Sequence, residues 1–344
     1  MEKLIRIGMD TSKQFFQLHG IDAAEQPALR KQLRRREVLP FFSRLEPTLI
    51  VLEACGGSHY WARELACLGH EVKLIAPQRV KPYVPRGKND AADAAGLCEA
   101  ASRPTMRFVP VKTAEQQAAL MLAGVRDRLV RNRAQLANTI RGYAAEFGLV
   151  AAKGMARIEG LLSSAQTDET LPVLARELFA GLGREYARLD AELAAIEAKL
   201  LAWHRASELS RRLAAVPTIG PVIASLLVMK TPDPHAFSSG RQFAAWLGLT
   251  PKDHSTAGKQ KLGAITRAGD ETLRSLLVVG ATAVIWQVRR GKGRNPSPWL
   301  VELLDRKAPK LAAVALANKT ARIAWKLMAT GQTYKQAAAK QAAA

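Results

Sequence analysis

The sequence predicts an α/β domain, then a long helical arm, then a basic and mostly helical domain, and three patterns carry that prediction. Short β-rich runs alternate with helical ones over roughly the first 110 residues. The middle holds two long stretches with apolar residues three or four apart. The last third is helical, strongly basic and broken by Pro and Gly. The expected boundaries are 1–112, 113–206 and 207–344.

Taken in order, Leu4–Met9 is an apolar run ending at Asp10, and Phe15–Ile21 is a second strand candidate. The basic stretch Arg30–Arg36 leads into a helical segment at Val38–Leu45. Thr48–Leu52 is a compact β-rich run ending at Glu53, His59–Leu68 reads as a helix, Glu71–Ile75 as a strand and Asn89–Ala101 as an Ala-rich helix. This order suggests a mixed sheet with helices packed on it. From Thr113 to Phe147, Leu122, Val125, Leu129, Leu136, Ile140, Tyr143 and Phe147 form one apolar seam. From Leu171 to Trp203, a second seam runs through Leu174, Leu178, Leu182, Tyr186, Leu189, Leu193, Ile196 and Leu200, with the reversal inside 148–170. An intramolecular hairpin and an oligomerisation device both fit such spacing. After Ala206 the helical pattern is interrupted at 232–234, 250–269 and 291–298, and residues 337–344 are low in complexity and expected to fray.

Composition narrows the function classes. Apolar residues make up 48% of the 344, enough for a substantial core. No apolar run approaches the ~18–20 residues of a membrane span, and the N-terminus enters a strand pattern without a signal-peptide core. Cys55, Cys67 and Cys98 form no C-x-x-C pair and read as ordinary buried thiols of a reducing cytoplasm; the six histidines lack metal-ligand spacing. Charge is more telling: 51 Lys and Arg against 30 Asp and Glu leave +21. Of that excess +15 lies from Arg205 onward. A polyanionic partner is favoured, because each neutralised phosphate releases counterions, and the C-terminal part should grip it harder. A generally basic solvated surface is the plainer reading.

Four acids stand out. Asp10 and Glu53 end apolar strand runs, and if those strands are neighbours their carboxylates face each other. Asp90 and Asp93, three apart, share a helix face near its N-terminus, where anions are favoured. Clustered carboxylates persist where Mg²⁺ or Mn²⁺ neutralises them, and such ions serve phosphoryl transfer. Singly, each acid could be a turn former or a helix cap.

The segments IGMDTSK, IVLEACGGSHYWARELACLGHEV and KNDAADAAGLCEA resemble the RuvC-like, RNase H-fold domain of the DEDD insertion-sequence transposases, a family including Piv-type DNA invertases and bridge-RNA-guided recombinases. The resemblance continues through VPTIGPVIASLL and FAAWLGLTPKDHSTAGKQKLGAITRAGD, so it spans nearly the whole chain. It implies that Asp10, Glu53, Asp90 and Asp93 are the metal-binding catalytic tetrad. It further implies double-stranded DNA partners (element ends and target), a structured non-coding guide RNA, and a homodimer or homotetramer in which one subunit's acids meet another's serine. A bacterial cytoplasmic, nucleoid-associated location follows from the same resemblance.

In the C-terminal part, Val216–Ala224 has the pattern of a helix-hairpin-helix, whose turn at Gly220 could present backbone N–H groups to a phosphate; a generic helix turn is the alternative. Lys252–Gly269 is rich in small, hydroxyl and basic residues and by composition reads as a flexible phosphate-contact loop through Lys259, Lys261 and Arg267. The resemblance implies more, because family members carry a nucleophilic serine shortly after a G-L-T-P segment, the place of Ser255. The family often continues Ser-Gly or Ser-Ser where this chain has Ser-Thr-Ala, which makes Thr256 a rival; His254 could orient or deprotonate the serine. Arg289, Arg290, Lys292 and Arg294, with the run Arg306–Lys310, read as further phosphate contacts. Trp246, Trp286, Trp299 and Trp325 read as core. A recombinase with a transient phosphoserine–DNA link is the reading these signals favour. A RuvC-like nuclease using water, or a non-catalytic architectural nucleic-acid binder, are the rivals.

Overall fold

The computed structural model describes residues 3–84, 90–256, 258–259, 261–292 and 296–334. Asn89, Arg294 and the run 337–344, singled out above, lie outside the described residues. The chain divides into two units, 1–117 and 118–344.

The first unit is built on a six-stranded mixed sheet of β1 (Arg6–Thr11), β2 (Phe15–Ile21), β3 (Pro27–Arg34), β4 (Leu49–Glu53), β5 (Glu71–Ile75) and β6 (Phe108–Val109), in the order β3-β2-β1-β4-β5-β6. β1, β4 and β5 run parallel; β2 and β3 extend the sheet as an antiparallel meander and β6 closes the other edge antiparallel. The helices of this unit are α1 (Val38–Phe42), α2 (Ser58–Cys67), α3 (Pro77–Val80) and α4 (Asp90–Ala101). This mixed α/β arrangement is compatible with an RNase H-like fold.

Strand alternation sorts the helices into layers, because successive side chains leave opposite faces. Ile7 and Met9 of β1 and Ile50 and Leu52 of β4 are buried together with Phe42 of α1 and Trp61, Ala62 and Leu65 of α2. Val51 and Ile75 project the other way and pack with Leu97 and Ala100 of α4. Gly8 lies on this second face, and a Cβ built there would stand 2.0 Å from the Ala94 carbonyl oxygen. Only glycine admits α4 at that distance. The contact is latched by Cys98, whose Sγ accepts the Gly8 N–H at 3.0 Å and donates to the His19 carbonyl, also at 3.0 Å. Burial pushes this thiol up to about 11, so it remains a neutral donor.

In the second unit, α5 (Ala114–Glu146, from residue 118 on), α6 (Ile158–Thr167) and α7 (Val173–Ala206) share a core of Leu129, Leu136, Ile140, Ile158, Leu161, Leu162, Phe179, Tyr186, Leu189 and Leu193. Ion pairs Arg126–Glu197, at 2.7 Å, and Arg133–Asp190 run between α5 and α7 in antiparallel register. Beyond them come α8 (Glu208–Leu213), α9 (Pro221–Lys230), α10 (Gly240–Trp246), the hairpin β7 (Pro251–Asp253) and β8 (Leu262–Ile265), α11 (Glu271–Arg289), α12 (Pro298–Arg306) and α13 (Pro309–Thr330). Their core is a separate cluster in which Ala317, Ala321 and Ala324 let α13 approach Phe243, Leu273 and Leu277 closely. Lys230 lies 2.8 Å from Asp270 and 3.9 Å from Asp127, tying α5, α9 and the start of α11 together.

Several expectations are corrected. Residues 30–34 of the basic stretch, for which no strand was expected, belong to β3, an edge strand held by backbone pairing with β2, in which Leu33 is the one buried residue. The reversal at 148–170 contains α6. Near that reversal the expected seam is displaced: Leu174 and Leu178 are 66% and 59% exposed and Tyr143 and Phe147 are exposed as well. Leu171, Ala175 and Phe179 turn inward instead, against the helix that fills the reversal. Of the three cysteines only Cys98 is buried; Cys55 and Cys67 are exposed. The stretch 250–269 is a hairpin rather than a featureless loop. Among the described residues no helix is long and apolar enough to cross a membrane.

The Gly8 contact yields the first expected outcome. Gly8→Ala must push α4 off β1, with a stability loss of about 3 kcal/mol, read by denaturant unfolding. Unfolding indistinguishable from the parent chain would show that α4 is not seated on Gly8.

Candidate functional site

Asp10 follows Gly8 by two on β1, and Glu53 follows Val51 by two on β4, so both carboxylates leave the sheet on the α4 face. The β1–β4 register pairs Met9 with Leu52, which brings Asp10 and Glu53 to adjacent positions one step on, at the C-terminal edge of the parallel strands. Ala94 of α4 is held at Gly8, and Asp93 and Asp90 precede it in the first turn of that helix. Ligand atoms of Asp10, Asp90 and Asp93 consequently lie within 4.8 Å of one another. Glu53 stands outside that tightest group and meets it through Asp93, whose charge acts on it.

The electrostatics follow from this crowding. Burial pushes the Asp10 carboxyl up to about 6, and the charges of Asp93, Asp90 and Glu53 add to the effect. Burial and Asp93 raise Glu53 as well. Asp10 and Asp93 are half-buried and Asp90 is exposed, so the cluster opens to solvent. A hard divalent cation, which takes carboxylate oxygens and neutralises like charges, fits this donor set.

Ser255 stands in the second unit, exposed, just past β7. Its backbone N–H donates to Asp253 Oδ1 at 2.8 Å, and its Oγ accepts the Lys261 N–H at 3.0 Å. The Ser255 hydroxyl and amide together hold the Asp253 carboxyl below its ordinary range. The hairpin is cinched at its base. Gly269 has φ +74, and a Cβ there would lie 1.8 Å from the Trp246 carbonyl oxygen. Arg274 ties the Leu247 and Ala268 carbonyls, at 3.1 and 2.9 Å. Thr256 bridges to Lys259 across the turn. The His254 ring packs against Gly263 of β8, where a Cβ would come within 3.2 Å of it, while the His254 backbone N–H donates to the Lys261 carbonyl at 2.8 Å. Asp253 is thus the acidic neighbour of Ser255 that spacing did not single out.

Gly220 is exposed and caps the N-terminus of α9, with α8 before it. Lys259, Lys261, Arg267, Arg289, Arg290 and Lys292 are all exposed. Arg267 holds a left-handed backbone (φ 57) at the hairpin exit. Trp286, expected in the core, is 56% exposed and carries the Arg290 guanidinium 3.4 Å from its ring centroid.

Comparison with known proteins covers both regions. Residues 7–147 match the transposase family of DEDD, IS110 type, and residues 210–295 match the transposase IS116/IS110/IS902 family. A Sinorhizobium fredii chain described as a transposase, y4pF/y4sB, is 67% identical, over 98% of this chain and 87% of its own length. The transposase for insertion sequence element IS1328 of Yersinia enterocolitica is 38% identical, over 98% of this chain and its full length. The transposase for insertion sequence element IS1111A of Coxiella burnetii is 37% identical, over 97% and 92%.

The crowding of Asp10 has a sign that can be measured. Its carboxyl titrates near 6 in the folded chain against 3.8 unperturbed, so folding binds the proton. The penalty for its charge is absent below pH 3.8, grows through pH 6 and is complete above it. Without divalent ions, Asp10→Asn should therefore stabilise the chain at pH 8 by about 1–2 kcal/mol after discounting for solvent screening, and leave it unchanged near pH 3.5. Destabilisation at pH 8, by denaturant titration, would contradict the crowding.

Proposed function

The chain belongs to the IS116/IS110/IS902 family of transposases, enzymes that cut and rejoin DNA, and from that premise we propose that it does so with the acidic cluster and Ser255 as its two chemical centres. The observation carrying the proposal is the convergence of Asp10, Asp90 and Asp93 from β1 and α4 within 4.8 Å, with Glu53 beside them. Those four residues would hold the divalent ion that the family implies. Bound there, Mg²⁺ or Mn²⁺ would supply charge neutralisation for phosphoryl transfer.

The remaining chemistry belongs to the protein's own groups. Ser255 Oγ attacks the phosphorus of a DNA phosphodiester; the Oγ–P bond forms, the P–O3′ bond breaks, and the serine proton passes to the leaving 3′ oxygen. The product is a free 3′ hydroxyl and a phosphoserine link to the 5′ end of the other fragment, and attack on that link by another 3′ hydroxyl reverses the step and rejoins the strand. Asp253 and the Lys261 N–H act through Ser255, fixing its hydroxyl between an acceptor and a donor. Gly220, at the exposed N-terminus of α9, and the basic residues Lys259, Lys261, Arg267, Arg289, Arg290 and Lys292 would hold phosphates in place. Arg294 completes that proposed set by sequence. The proposal extends to the three-part division at 112 and 206, to a structured guide RNA and to a dimer or tetramer. All of these rest on sequence and family likeness, and a net charge of +21 suits DNA and RNA alike.

With element-end DNA, the native chain should give a denaturant-stable protein–DNA adduct that requires Mg²⁺ or Mn²⁺. Ser255→Ala should abolish it, and Asp253→Ala should slow its formation about tenfold or more. Cleavage retained by Ser255→Ala would overturn the serine's role and leave metal-dependent hydrolysis by the acids. Mg²⁺ at about 100 times its dissociation constant should stabilise the native chain by roughly 2.7 kcal/mol and Asp10→Asn far less; equal stabilisation of both would remove Asp10 from the ligand set.

A further inference from the structure

One wall of a cleft of about 1210 Å³ in the second unit is the hairpin that carries Ser255, through Pro251, Gly263, Ala264 and Ile265; the start of α10, Trp299 of α12 and one face of α13 form most of the rest. Among the described residues six cations line it: Arg241, Arg267, Lys310, Lys319, Arg322 and Lys326. Among the described residues no Asp or Glu lines it, and α13 contains none over its 22 residues. Among the described residues none of the six makes an ion pair, whereas the half-buried Arg126, Arg133 and Lys230 of the same unit all do.

Lys319, Arg322 and Lys326 recur at three- and four-residue spacing along one helix face, an arrangement that destabilises a helix through like-charge repulsion. Lys319 lies 4.1 Å from the Trp299 ring centroid, partly desolvated, and burial together with Arg322 lowers its affinity for a proton. A freely solvated basic face would be convex and polar between its charges. This one is concave, and Trp299, Val314, Ala315 and Ile323 lie between the cations. Spaced anions joined by less polar groups are the chemistry that matches both features, which is the chemistry of a sugar–phosphate strand.

We propose that this cleft is the seat of a nucleic-acid backbone that is led along the hairpin toward Ser255, with Arg241, Arg267, Lys310, Lys319, Arg322 and Lys326 on its phosphates and Trp299 beneath its sugars or bases. The proposal rests on the reading of Ser255 given above, but its test reads binding and needs no strand cleavage.

Full-length chain carrying Lys310→Gln, Arg322→Gln and Lys326→Gln is compared with a control losing the same charge on the arm, Arg131→Gln, Lys153→Gln and Lys199→Gln. Binding to labelled duplex DNA, single-stranded DNA and single-stranded RNA is followed by anisotropy across a salt series. The cleft variant should flatten the slope of log K against log salt by about 0.9 per lost duplex contact, or about 0.7 per single-strand contact, on at least one polymer. The polymer most affected identifies the occupant. The control should keep the native slope. Equal slopes for both variants on all three polymers would overturn the proposal, as would displacement of the oligonucleotide by polyglutamate at equal charge concentration.

A second measurement avoids mutation. Acylation of Lys310 and Lys326 in the native chain, read by mass spectrometry, should be suppressed by bound oligonucleotide, and undiminished acylation would also overturn the proposal. Ser255→Ala separates the two ideas. If it still forms adduct while the cleft variant loses its slope, the serine reading fails and the cleft stands. If it loses adduct while the cleft variant binds as the native chain does, the cleft fails and the serine stands.

Discussion

The approach of α4 to β1 at Gly8 governs the geometry of the acidic cluster, because Asp10 is two residues from the contact on the strand and Asp93 and Asp90 are one and four residues from it on the helix. A methyl group at position 8 would collide with the Ala94 carbonyl, and a helix displaced by that collision would carry both of its aspartates away from the strand. The Cys98 thiol, bonded to the Gly8 N–H and the His19 carbonyl, holds the same contact from the next turn. Asp10, Asp90 and Asp93 are thus kept at short range by packing that contains no carboxylate. This is the expected division of labour where repelling charges must be held together: apolar burial supplies the free energy and the charged groups oppose it.

A similar division appears at the serine hairpin. The exposed strands β7 and β8 bury almost nothing, so their position comes from the base of the hairpin. There Gly269 abuts the Trp246 carbonyl, and Arg274 ties two further carbonyls of the turns on either side. Asp270, next in sequence, caps α11 through the Leu273 N–H and accepts Lys230. A flexible loop could present Ser255 in many orientations. A hairpin with a fixed base, carrying an Asp253 contact on one side of the serine and a Lys261 N–H on the other, presents few.

How much of this could be read in the sequence depends on which force placed each residue. β1, β2, β4, β5 and α4 are buried on at least one face, so their apolar patterns are strong and the ends at Asp10 and Glu53 follow from them. β3 left little trace, because an edge strand paired through its backbone needs no apolar alternation, and PALRKQLR buries only Leu33. The seam near residues 143–147 and 174–178 misled for the opposite reason. Its spacing is helical and its side chains apolar, but α6 occupies the inside of the reversal and turns the neighbouring stripe inward. Asp253 gave no signal at all, since its relation to Ser255 exists only through the turn. The cleft cations come from three separated segments, 241, 267 and 310–326. Arg267 and Lys310 were legible as phosphate contacts; the further clue was a 22-residue helix with Lys and Arg three and four apart and no acid to balance them.

The charge distribution of the molecule gives these local features a common sense. Most proteins relieve strong charge by pairing it, and this one does so along the arm, where Arg126 meets Glu197 and Arg133 meets Asp190. It does not do so in two places. In the first unit acids face acids, and burial together with those neighbours raises the affinity of Asp10 for a proton. In the second, cations face cations across a concave surface, and Lys319 loses affinity for its own. Each arrangement costs folding free energy that a single compensating substitution could remove, a Lys among the acids or a Glu on α13. Repulsion of this kind is tolerable when ions of the opposite sign share the site, a small hard cation in one case and an extended polyanion in the other. Cutting and rejoining DNA brings a polyanion to the protein, and the divalent ion proposed for the acids would bring the opposite charge.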